Sequence, residues 1–286
     1  MPKALMATPP PPCAAAPADD ECAVVELRQY TLHPQQREVL IDLFDREFVE
    51  TQEAHGMRVL GQFRDLDRPD MFVWLRGFAD MESRRRALEG FYGGPVWAAH
   101  RNAANATMVD SDNVLLLRPA WPGAAIALPQ HTRPAPGCSG AAPGVLTATV
   151  FPLRESPTPA LLDFCHHRMA PLLQRSGARQ VAWYCTEARA NTFPRLPVRE
   201  GEPVLLALAL FGNAAAAQAV TSSGAWERGV APGLARWLAG PPHTLGSSSR
   251  IGSGCARAMC EVKSTHVEQL WPEQGALRRW AEGIGP

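Results

Sequence analysis

Three stretches place polar side chains next to aromatics at spacings that suit a binding site. In "VVELRQY" (Val24 to Tyr30), Glu26, Arg28 and Tyr30 alternate with Val25, Leu27 and Gln29. Strand alternation puts the first three on one face. "GMRVLGQFRDLDRPDMFVWLRGF" (Gly56 to Phe78) reads as two strands joined by a turn over Asp65 to Asp70. One face collects Met57, Val59, Gly61, Phe63, Met71, Val73 and Leu75 and calls for a helix layer. The other collects Arg58, Leu60, Gln62, Arg64, Phe72, Trp74, Arg76 and Phe78. A half-exposed sheet would carry Lys, Glu, Ser and Thr there. Large aromatics mixed with Arg and Gln are the composition of a ligand cavity or a subunit interface. The plainer alternative is a wet interface whose charges pair, Glu26 with Arg28 or Arg76.

"FYGGPVWAAHRNAANATM" (Phe91 to Met108) concentrates Tyr92, Trp97, His100, Arg101, Asn102 and Asn105. On a helix, Trp97 and Arg101 share a face, as do Arg101 and Asn105. His100 with Arg and Asn neighbours is the candidate acid/base. The alternative is a packed Trp above a solvated Arg-Asn face. His166 and His167 point about 100° apart on a helix, a poor pair of metal ligands, and no metal is expected. His33 beside Pro34 reads as exposed, and His55 before Gly56 as a helix C-terminus. There is no G-x-G-x-x-G after a strand, no phosphate loop, no G-x-S-x-G and no H-E-x-x-H. Nucleotide-dependent and serine-hydrolase chemistry find no support.

These residues need elements to position them. Val24–Tyr30 is a strand, and apolar spacing makes Arg37–Glu50 an amphipathic helix. After the Gly56–Phe78 hairpin comes a helix with Asp80 as N-cap and Gly90 as stop, then a helix with Pro95 in its first turn. Asp112–Pro119 closes the unit as a strand. Strand, helix, strand, strand, helix, strand is the ferredoxin-like order. Residues 120–144 are rich in Pro, Gly and Ala and read as a linker. The pattern then returns: strands at Val145–Leu153, "ARQVAWYCTEA" and "EPVLLALALFGN", helices from Pro159 and Ala214, a kink at Pro171, and "HTLGSSSRIG" closing the sheet. The chain divides into an N-terminal tail (1–22), a first unit (23–119), the linker, a second, diverged unit (145–252) and a C-terminal tail (253–286). Two such sheets in one chain can build a shared barrel, with the mixed face looking into its interior.

The 286 residues carry zero formal net charge, which disfavours nucleic acid and anionic membranes as partners. Arg84-Arg85-Arg86 reads as a solvated helix face. No apolar run approaches the roughly 20 residues of a transmembrane helix. The start has Pro where a signal peptide needs an apolar helix and little Arg for a transit peptide. Seven Cys with no C-x-x-C favour reduced thiols in a cytoplasmic protein, with Cys165 and Cys185 packed as small hydrophobes.

"VVELRQYTLHPQQREVLIDLFDREFVETQEAHGMRVLGQFRD", "FVWLRGFADM", "FYGGPVWAAHRNAANATM" and "DNVLLLRP" closely resemble a bacterial NIPSNAP family member, and "NTFPRLPVREGEPV" (Asn191 to Val204) resembles a loop-and-strand segment of the same proteins. The resemblance implies the dimeric α/β-barrel superfamily, here as two tandem units of α+β, ferredoxin-like, antiparallel type. That superfamily includes cofactor-free monooxygenases, haem-handling enzymes and lactone isomerases. The family offers no catalytic motif to transfer, and the mitochondrial and trafficking roles of eukaryotic relatives do not carry over to a chain without a transit peptide. The expectation is a barrel binding a small, partly apolar molecule, with cofactor-free oxidation or isomerisation as candidate chemistry and homo-oligomers allowed. Trp74, Tyr92 and Trp97 form its apolar wall, Arg28, Gln62, Arg64 and Arg76 orient polar groups, Tyr30 is a further ligand-binding residue, and His100 is the acid/base. A non-enzymatic interaction module is the alternative, and haem at His100 or His167 a third.

Overall fold

The computed structural model describes residues 22–127, 144–247 and 259–265. β1 (Val24–Leu32) leads to α1 (Arg37–Leu43), which runs through a π turn (Phe44–Phe48) into α2 (Val49–Ala54). The hairpin β2 (Arg58–Asp65) and β3 (Met71–Phe78) follows, then α3 (Met81–Tyr92), α4 (Pro95–Asn105) and β4 (Met108–Pro119). The second half repeats the order: β5 (Val145–Pro152), α5 (Pro159–Phe164), a π turn (Cys165–Met169), α6 (Ala170–Arg175), β6 (Gln180–Thr186), β7 (Val204–Phe211), α7 (Ala214–Ser222), α8 (Ala225–Gly229), α9 (Ala231–Leu234), a 3-10 turn (Ala235–Trp237) and β8 (His243–Ser247). β9 (Met259–Thr265) comes last. No helix among the described residues is long and apolar enough to cross a membrane.

Local chemistry explains the boundaries. Asp80 caps α3 by accepting from the Ser83 N–H at 2.6 Å, and Pro95 opens α4 where its missing N–H costs nothing. Gly90 does not stop α3, which continues to Tyr92; the His55 ring packs against Gly90 where a Cβ would stand. Gly56 and Gly177 take φ of 87° and 97°, ending a helix and opening a strand in each half at the same spacing from its π turn. Pro171 lies in the first turn of α6, just after the second π turn, and the first half forms the same turn without a proline.

Seven strands make one antiparallel α+β sheet in the order β2-β3-β1-β4-β6-β7-β5. β4 meets β6 over Leu117–Pro119. β8 pairs with β5, and β9 runs antiparallel to β8 and parallel to β2, so the strand order closes into a barrel. Residues 253–286 are therefore not all outside the sheet: β9 contributes its closing strand, and 266–286 lie beyond the described residues. At the other end Cys22 is buried rather than part of a tail, whose residues 1–21 lie outside the description. The segment read as a linker is packed at its start. Ala120 and Ala124 are buried, and the Ile126 N–H donates to the Tyr184 hydroxyl at 2.9 Å; 128–143 lie outside the described residues.

The two faces of the first sheet are used in the opposite sense to the expectation. The barrel interior is apolar: Val25, Leu27, Phe63, Val73, Leu75, Leu115 and Leu117 meet Leu146, Val150, Tyr184, Leu206 and Leu208. Tyr30, Phe72, Trp74 and Phe78 pack instead against Phe44, Phe48, Leu88, Phe91 and Trp97 of the helix layer. Two physical reasons account for the reversal. Closure of the barrel removes one face of every strand from water, so that face takes the mostly apolar set, and the charged residues fall on the face beneath the helices. A register shift between Val59 and Gly61 also breaks strict alternation, sending Val59 to the helices and Phe63 to the barrel. Leu75→Ala, at the seam of the two halves, lowers unfolding free energy by about 2–5 kcal/mol, and Gly177→Ala by about 1–2 kcal/mol through its left-handed backbone; urea unfolding measures both.

Candidate ligand-binding site

The mixed face is organised around Glu26. β1 lies between β3 and β4, so Glu26 stands at the centre of the first half and directly opposite Arg76. Its carboxylate accepts from Arg28 Nη1 at 2.7 Å, Arg76 Nε at 2.8 Å and Arg84 Nε at 2.6 Å. All four side chains are at most 1 % exposed. Outward from the carboxylate, Arg28 Nε donates to Tyr30 Oη at 2.9 Å and Arg76 Nη1 to Gln52 Oε1 at 3.0 Å. The pairing of Glu26 with Arg28 or Arg76 offered by the sequence is met by both together, with a third arginine.

Aromatic rings pack around these cations. The Arg28 guanidinium lies 5.4 Å from the Tyr30 ring centroid and 5.7 Å from that of Trp74. Arg76 lies 5.1 Å from Trp74, 5.6 Å from Phe78 and 6.0 Å from Tyr92. Tyr92 is half-buried and packs edge-on to Trp97 at 4.9 Å.

The second half covers this shell. The connection between β6 and β7, residues 187–203, crosses to the first half. Arg84 Nη1 donates to Asn191 Oδ1 at 2.9 Å and Thr192 Oγ1 at 3.2 Å, while the Thr192 hydroxyl donates to the Met81 carbonyl at 3.1 Å. Phe193 stacks on Tyr92 with centroids 5.9 Å apart, and the Arg199 N–H donates to the Val114 carbonyl at 2.9 Å.

Burial alone would raise the Glu26 carboxyl, but the fields of Arg76, Arg84 and Arg28 outweigh it and hold the group well below the usual carboxylate range. Burial works against the charge on Arg84 and lowers its affinity for the proton, with Glu26 only partly restoring it. Burial raises the Tyr30 hydroxyl, which stays neutral. The shell thus holds one carboxylate against three guanidiniums.

Arg28, Tyr30, Trp74, Arg76 and Tyr92 are brought together, with Trp97 behind Tyr92. The remaining candidates stand apart. Gln62 Nε2 donates to Asp45 Oδ1 at 2.8 Å, and Arg64 Nε to Glu38 Oε1 at 2.8 Å nearer the surface. His100 is one-third exposed on the helix layer, against the Phe48 ring and 3.6 Å from Glu47 Oε2. His167 is exposed and pairs with Asp163 at 3.2 Å. The Arg84-Arg85-Arg86 run is not uniformly a solvated face: Arg85 and Arg86 are at the surface, but Arg84 is fully buried. The signal was present, because Met81, Arg84, Leu88 and Phe91 form one stripe at helical spacing.

The NIPSNAP family model matches residues 25–121. Residues 25–121 are a NIPSNAP domain. No curated protein sequence matches the chain. Among solved structures, an uncharacterised NIPSNAP-like domain protein from Burkholderia xenovorans is 26 % identical, with 39 % of this chain and 95 % of that one aligned at a TM-score of 0.34. A candidate monooxygenase from Lactobacillus acidophilus NCFM is 9 % identical over 86 % of this chain and 100 % of that one, TM-score 0.49. An anthrone oxidase-like protein is 15 % identical over 81 % and 92 %, TM-score 0.49. The NIPSNAP domain contains Glu26 and its three arginines; Asn191 and Thr192 lie beyond it.

Glu26→Gln leaves three buried guanidiniums without a counter-charge and lowers stability by about 3–5 kcal/mol. Because the folded carboxyl sits below its ordinary value of 4.5, its contribution is complete above about pH 4.5 and is lost as pH falls towards the folded value. Denaturant titrations between pH 6 and pH 2 reveal that acid-sensitive component in the wild type and its absence in Glu26→Gln.

Proposed function

We propose that the chain binds a small, partly apolar molecule on the mixed face of its NIPSNAP domain, between β1, β3 and the helix layer, with half-buried Tyr92 at the entrance. The observation that carries this reading is the buried shell of Arg28, Arg76 and Arg84 around one carboxylate, walled by Trp74, Tyr92 and Phe193. A sheet and helix layer that merely packed would use apolar side chains there, as the second half does with Trp183, Leu205, Ala207 and Phe211.

The proposal extends to architecture. Each half is read as a ferredoxin-like unit, 23–119 and 145–252, and the pair as the one-chain counterpart of a dimeric α/β barrel. The matching strand orders β4-β1-β3-β2 and β8-β5-β7-β6 support this, as do the repeated π turn and glycine. Oxidation or isomerisation without an organic cofactor would use the same positive field to hold a substrate enolate. A cytoplasmic location and homo-oligomers belong to the same reading.

A second reading has one observation in its favour: Arg84 ties Asn191 and Thr192 to Glu26, so the cluster also fastens one half to the other. On that reading the protein is an interaction module with a packed barrel and no ligand. Native mass spectrometry of freshly purified protein separates the two. A mass above that of the chain, lost on denaturation and reduced in Tyr92→Ala, is the expected result. A bare chain mass, together with a melting temperature unmoved by a small-molecule panel, would leave the fastening role alone.

A further inference from the structure

Resting on the binding reading above, we propose that the ligand is an organic acid whose anionic group is held by Arg84 and whose apolar part lies against Tyr92 and Trp74. The charge balance of the shell points there. Three guanidiniums surround Glu26, and all of them are essentially inaccessible to solvent. Asp112, half-buried on β4, is a further carboxylate in the field of Arg28, while Tyr30 and Tyr92 are phenols. Counting Asp112 still leaves more positive than negative charge in a low-dielectric region, where an uncompensated cation is costly.

The donors are unbalanced in the same direction. Arg84 commits Nε to Glu26 and Nη1 to Asn191 and Thr192, and its buried Nη2 has no acceptor. Trp74 Nε1, in the same shell, is buried without an acceptor as well, but so is Trp183 Nε1 in the apolar layer of the second half, so the weight rests on Arg84. Arg76 Nη2 lies 2.8 Å from Glu26 Oε2 but is not aligned to donate to it. Buried N–H groups without acceptors are rare in folded proteins, and a carboxylate oxygen is the acceptor that meets both the charge and the donor excess. The aromatic walls make the rest of the ligand apolar. Asn191 and Thr192 on the same guanidinium mean that the second half completes the site.

The test is a titration of the full chain with phenylacetate, phenylacetamide and inorganic phosphate, followed by tryptophan fluorescence. Phenylacetate is expected to bind at least about tenfold more tightly than the isosteric amide. That preference is expected to shrink with added salt, to weaken in Arg84→Lys and to disappear in Arg84→Gln. Equal binding of acid and amide overturns the anionic assignment while leaving small-molecule binding standing. An acid preference unchanged in both Arg84 variants overturns the role of Arg84. Phosphate as tight as phenylacetate overturns the organic part. Failure of every probe, with a bare chain in native mass spectrometry, overturns this inference and the binding reading together. The acid–amide comparison is made on the wild type, so it holds even where Arg84→Gln does not fold.

Discussion

One carboxylate must serve three guanidiniums, and much of the first half is arranged to meet that constraint. Glu26 is placed on the central strand, where Arg76 can face it across β3 and Arg84 can reach it from α3. The second half then sends a long connection across to supply side-chain oxygens that the first half lacks. A buried ion group of this kind contributes little net stability over an apolar core, but removing one member is costly. Its presence beneath a helix layer is therefore better understood as positioned charge than as a stabilising device.

The barrel supplies the rigid side of that arrangement. Its interior is filled by close-packed, mostly aliphatic side chains from both halves. The charged groups stand on the outer face, where aromatic rings separate the cations from the surrounding hydrocarbon. The same strand thus serves two chemistries: Leu27 and Val25 join the halves, while Glu26 and Arg28 form the charged centre.

Much of this was legible in the amino-acid order. Period-two alternation in Val24–Tyr30 and Met71–Phe78 identified the mixed face and grouped Arg28, Tyr30, Trp74 and Arg76, because strands impose that grouping whatever they pack against. Alternation could not say which face turns to the barrel, since both sides are buried and only the three-dimensional closure decides. The bulge at Leu60 has no composition signal, and it displaced Val59 from its expected partners. Arg84 was hidden by its neighbours: a run of three arginines reads as solvated unless each is set against the helix period. The closing strand Met259–Thr265 was missed because it follows a Gly- and Ser-rich stretch and pairs with residues far away in the chain.

The reach of the 187–203 connection has a consequence for how the chain acquires its structure. Arg84 and Asn191 are separated by 107 positions, and contacts of such long sequence separation form late. Domains emerge from the ribosome N-terminus first, at roughly 5–20 residues per second. The first half therefore spends several seconds of synthesis with its charged centre unfinished. The apolar strand edges that later meet β6 and β9 are open over the same interval. Through that window Arg84 stands without the Asn191 and Thr192 oxygens that later accept from it.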